Sequence, residues 1–119
     1  MKCNVKEKTV PFEFDGKEYP LALNFNVIAE IQDKYGDLDT CFSGMDKART
    51  QIWLLCTLLN EAVEIHNEKS QDQWDKLTES QVGRRIDTQT VNEMLESLTE
   101  VVREGLPDGE ETEKNEIAE

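Results

Sequence analysis

The sequence predicts an α+β domain, mainly α: an N-terminal β-hairpin packed on a bundle of about four helices, followed by a disordered acidic tail. Three observations predict it. Phe12-Glu13-Phe14 and Tyr19 to Leu23 alternate around Asp15-Gly16, a dipeptide that tolerates the positive φ of a two-residue hairpin turn. Beyond residue 24 the apolar spacing changes from two to 3.6, in segments punctuated by Gly36, Gly44 and Gly105. After Pro107 six acids oppose one lysine, and Ile117 is the only sizeable apolar residue, too little to offset the ordering entropy of a packed segment.

The hairpin is expected over about 3–23. In its first strand Val5, Thr9 or Val10, Phe12 and Phe14 share a face, with a bulge near Pro11 holding register. Lys2, Lys6 and Lys8 beside Glu7 read as charged protection of an exposed edge. The first helix is expected over about 25–35. Asn24 or Asn26 caps it, Phe25, Ile28, Ala29 and Ile31 form its apolar face, and Gly36 ends it. Leu38 to Phe42 reads as a short helical turn capped by Asp37 or Asp39.

The long helix, about 46–67 with Asp46 as cap, is the spine. Ile52, Leu55, Leu59 and Val63 make a stripe that Trp53, Leu54, Cys56, Leu58 and Ala62 widen nearly all the way round, the mark of a central helix. Residues 67–77 form a polar loop in which Trp74 and Leu77 are the apolar anchors. Trp74 is either a clamp on that loop or an exposed binding anchor. Thr78 and Gln81 fit a capping box for a helix over about 79–85. Asp87 or Thr88 caps the last helix, about 88–104, with Val91, Met94, Leu95, Leu98, Val101 and Val102 on one face. Residues 1–106 thus form one domain, and 107–119 the tail.

Composition excludes several functions. The chain has 119 residues, 26 acids and 13 bases, for a formal charge of −13. Such a balance argues against a grip on nucleic acid phosphates and on anionic membranes, and leaves two readings, basic partner proteins or a solvated acidic surface that serves solubility. No apolar run approaches the roughly 20 residues of a membrane span, and MKCNVKEKTV has no apolar stretch of a secretory signal. Cys3, Cys41 and Cys56 have no disulfide or zinc spacing, which fits a reducing compartment. His66 is the only histidine, with no nucleophile and acid at triad spacing. The six glycines are isolated, so no loop cradles phosphate. Arg84-Arg85, the one basic doublet, reads as helix-end capping and surface pairing. No catalytic, cofactor or metal residues are expected, and the chain reads as an interaction protein. The candidate partner-binding residues are Val5, Val10, Phe12, Phe14, Trp74, Val91 and Leu98.

From Tyr19 to Gly36 the sequence YPLALNFNVIAEIQDKYG resembles the opening of the tail assembly chaperones of long-tailed bacteriophages and prophages. In that family a strand pair leads into a helix of the form Phe-Asn-x-Ile/Leu-Ala-Glu-Ile/Leu-x-x-x-Tyr/Leu-Gly. Here those positions are Phe25, Asn26, Ile28, Ala29, Glu30, Ile31, Tyr35 and Gly36. The layout continues with a short helix, a long apolar helix near a Trp (Ile52 to Leu59) and a variable loop. A segment formed by Leu77, Thr78, Val82, Gly83, Ile86 and Asp87 then precedes a final helix and an acidic end. The likeness spans roughly residues 5–106. The chain departs from the pattern in a longer polar linker around Gln71 to Asp75 and in His66, which has no counterpart role. The resemblance implies a chaperone without catalysis or ATP, made in the host cytoplasm and absent from the mature virion. It implies that the tape measure protein is bound and kept soluble, that tail tube protein is recruited, and that self-association is open. It also implies a −1 frameshift near Glu113-Lys114-Asn115 if those residues are encoded GAA-AAA-AAC, which contains a slippery heptamer. A reading from a different class is an acidic mimic of nucleic acid that inhibits a host DNA-binding enzyme. That reading requires carboxylates in register on one face, whereas here they are spread through every segment.

Overall fold

The computed structural model describes residues 9–105, the last four by backbone alone. It is mainly helical, with a two-stranded antiparallel hairpin first. The strands are β1 (Val10–Phe14) and β2 (Lys17–Leu21). The helices are α1 (Phe25–Tyr35), α2 (Leu38–Ser43), α3 (Ala48–Lys69), α4 (Glu79–Arg85) and α5 (Thr88–Gly105). The expected strand before residue 9, its lysines, Cys3 and Val5, the tail and the Lys114-Asn115 site lie outside the described residues.

Asp15 (φ 53°) and Gly16 (φ 82°) both have positive φ, which turns β1 directly into β2. The register is unbulged: Phe14 faces Lys17, Phe12 faces Tyr19 and Val10 faces Leu21. Pro11 lies opposite Pro20. In a hairpin closed by a two-residue turn, that pair falls between the hydrogen-bonded pairs, so neither proline nitrogen is missed by the ladder. No bulge near Pro11 is therefore needed. Val10, Phe12, Phe14, Tyr19 and Leu21 all point from one face into the core. β2 lies against α3, and β1 against α5.

The caps resolve the alternatives left open by the sequence. Asn24 caps α1, its Oδ1 accepting from the Val27 N–H at 3.1 Å. Asp37 caps α2, accepting from the Thr40 N–H at 2.7 Å, and Asp87 accepts from the Thr90 N–H at 2.8 Å at the start of α5. Thr78 and Gln81 form the full capping box of α4. Gly36, at φ 91°, closes α1 by donating to the Gln32 carbonyl at 2.9 Å.

Asp46 is a correction. The residue before α3 is Lys47, which makes no side-chain cap; Gln51 instead reaches back to donate to the Met45 carbonyl at 2.7 Å. The apolar face of α1 is another. Val27 and Ile31 are buried and Tyr35 is half-buried, so the core-facing stripe is the 27–31–35 row. Phe25 and Ala29 lie more than a quarter turn away from that row and face solvent.

α3 is the spine, touching β2, α1 and α4. Leu54, Leu55, Leu58, Leu59 and Ala62 are fully buried along it. Trp53 is only half-buried, its ring edge against Tyr35 with centroids 5.4 Å apart. Gly83 lets α4 approach α3 closely, since a Cβ there would stand 3.3 Å from Ile52 Cδ1.

Candidate partner-binding surface

Five of the seven residues expected to meet a partner are core residues: Val10, Phe12, Phe14, Val91 and Leu98 are all buried. This corrects their assignment as partner-binding residues. Their alternating and helical spacings are packing signals, and one chain buries them against itself. Val5 lies outside the described residues.

Trp74 is a clamp. Its ring stacks on His66 with centroids 3.5 Å apart and meets Tyr19 edge-on at 5.5 Å. Lys17 Nζ lies 4.4 Å from its centroid, and its Nε1 donates to Asp72 at 3.2 Å. His66 thus has a role that its position near a helix end did not show: Nε2 lies 2.7 Å from the Asp72 carbonyl oxygen, and the ring supports Trp74. Two asparagines, one heptad apart on α3, complete the fastening. Asn67 accepts from the Trp74 N–H at 2.8 Å and donates to its carbonyl at 3.0 Å. Asn60 does the same for Leu77, at 2.7 and 2.9 Å. The spacing of Asn60 and Asn67, seven residues apart and so on one face of α3, was the available signal. Arg85 joins this end of the fold to the hairpin turn, Nε donating to Asp15 at 2.7 Å.

The sheet edges are poorly suited to a partner strand. Of the outward-pointing backbone positions, Pro11 on β1 and Pro20 on β2 lack an N–H, and the others are Glu13 and Glu18. An added strand would lose donors on either edge and meet a carboxylate.

The outer side of α1 is different. Phe25 is 84% exposed, the one exposed large apolar side chain among the described residues. It stands one turn before Ala29, which lines an open groove of about 400 Å³ between α1 and α3. Asn26, Val27, Ala29 and Glu30 line one side, and Thr57, Asn60, Glu61 and Glu64 the other, with Lys76 at the end. Glu61 Oε2 is held by Asn24 Nδ2 at 2.8 Å and Asn26 Nδ2 at 3.2 Å, which fixes α1 against α3. Lys76 pairs with Glu64 at 2.9 Å. Its ammonium is held above its ordinary range first by that hydrogen bond and charge, with Glu61 and Glu30 adding to it. The groove is thus lined by three carboxylates, Glu30, Glu61 and Glu64, against one ammonium.

A second hollow, about 460 Å³, lies between the start of α3 and α5 and is lined by Met45, Ala48, Ile86, Val91 and Leu95 among others. Among the described residues no group of three or more His, Cys, Asp and Glu is placed to hold a metal ion. Burial raises the thiols of Cys41 and Cys56, which favours the unreactive protonated form. No described helix is long and apolar enough to cross a membrane.

No protein-family model, no curated protein and no solved structure matches the chain.

Proposed function

We propose that this protein is a tail assembly chaperone of a long-tailed phage or prophage. It acts in the host cytoplasm, binds the tape measure protein and keeps it soluble, helps recruit tail tube protein, and is left out of the mature virion. Binding is non-catalytic and masks apolar helical surface until the tail is built.

The observation that carries this reading is the division of the α1 motif. Ile31 and Tyr35 are accounted for by packing and Asn26 by its bond to Glu61, but Phe25, Ala29 and Glu30 face outward. Singly exposed apolar side chains are common on protein surfaces, and Phe25, one turn before the groove residue Ala29, suits a partner's apolar side chain. The acidic coat keeps the chaperone soluble while it holds an aggregation-prone client. The test is co-purification: the tagged full chain, expressed with the tape measure protein of the same phage or prophage, is expected to co-elute with it. Elution of the chain alone, with the tape measure protein in the pellet, contradicts the reading.

A further inference from the structure

We infer that the α1–α3 groove, together with Phe25 one turn before its Ala29, docks a basic amphipathic helix of the partner, apolar side chains against Phe25 and Ala29 and lysines or arginines over Glu30 and Glu64. This rests on the proposed reading of the protein as a binding chaperone and adds the face used and the chemistry of the segment it takes.

Two independent features select this face. One is apolar: Phe25 is 84% exposed, and the i+4 spacing places Ala29 beside it as a ridge along the helix. The other is electrostatic: Glu30, Glu61 and Glu64 line the groove against Lys76 alone. Glu61 already accepts two amide donors and serves to hold α1 in place. Glu30 is exposed, and Glu64 can exchange its solvent-exposed partner Lys76 for a cation of the client. Small side chains at Ala29 and Thr57 leave space for a helix to lie along the groove.

A second copy of this chain fits less well. Its formal charge of −13 would bring two acidic grooves together. A strand partner is disfavoured by Pro11 and Pro20.

The experiment is a fluorescence-anisotropy titration of the full chain with a synthetic amphipathic Leu/Lys helix and with its Leu/Glu counterpart. The Lys peptide is expected to bind and the Glu peptide not to bind. Because a strongly acidic protein attracts a basic peptide anywhere, the variants decide. F25S is expected to weaken binding about tenfold or more, the size of a lost aromatic anchor. E30Q/E64Q is expected to weaken it and flatten its salt dependence, whereas the charge-matched E96Q/E100Q on α5 leaves it near the parent value. Unchanged circular dichroism and melting temperature in F25S show that the fold is intact.

Equal binding by the parent, F25S and E30Q/E64Q overturns the proposal. So does sedimentation showing a parent dimer that F25S dissociates without loss of peptide binding, since a second copy then fills the groove. The two readings fail separately. If F25S still co-elutes with the tape measure protein, the face is wrong and the chaperone reading stands. If the peptide binds through Phe25 but the tape measure protein never co-elutes, the face stands and the chaperone reading falls.

Discussion

Asn67 turns a polar loop into part of the structure by giving the Trp74 backbone one donor and one acceptor. N67A removes both bonds from groups that water partly reaches, so the expected loss is about 1 kcal/mol. Urea unfolding measures it, and faster tryptic cleavage at Lys69 and Lys76 shows where it acts. The capping aspartates report differently. Asp37 and Asp87 are held below the ordinary value of 3.8, Asp37 first by its side-chain and backbone bonds to Thr40, Asp87 first by the Thr90 backbone N–H. A carboxylate lowered on folding adds stability that is fully present above 3.8 and disappears as pH falls through its folded-state value. Stability of the parent is therefore expected to decline with acid below about pH 4. D37N/D87N is expected to decline less over that window, measured as melting temperature against pH.

Helices and hairpin were largely readable because each carries its own boundary chemistry. Asp15-Gly16 sets the turn, Thr78 and Gln81 start α4, and Gly36 stops α1. What the pattern left undecided was the helix phase. Phe25, Ile28, Ala29 and Ile31 make an acceptable apolar face in isolation, but Val27, Ile31 and Tyr35 point at α3 once the Asn24–Glu61 contact fixes α1. The same ambiguity led partner-binding roles to be assigned to Val10, Phe12, Phe14, Val91 and Leu98: apolar periodicity marks a face without saying what covers it. Here the domain covers its own. The Asp46 cap failed because α3 begins at Ala48, which leaves the capping position to Lys47. α3 is the element on which the rest depends. L58A, at a fully buried position in its middle, is expected to cost about 2–5 kcal/mol by urea unfolding. That is a large share of the roughly 5–15 kcal/mol of a small domain. F25S on α1's outer face is expected to cost little, and the contrast separates packing residues from a surface held for binding.

The molecule is a small acidic domain in which, among the described residues, most apolar side chains lie inside and one large one, Phe25, lies outside. Neither sheet edge invites a strand, the described cysteines are buried, and the one histidine supports a tryptophan. The α1–α3 groove is lined by three carboxylates against one ammonium, and exposed Phe25 stands one turn before its Ala29. Attraction between that groove and a basic client is screened by salt, so affinity is expected to fall as ionic strength rises, with the apolar contact at Phe25 remaining. The most direct test of the chaperone account is the soluble fraction of the tape measure protein of the same phage or prophage, measured by ultracentrifugation with and without this chain co-expressed. The account expects the tape measure protein to move from pellet to supernatant only when the chain is present. A tape measure protein equally soluble, or equally insoluble, in both would contradict it.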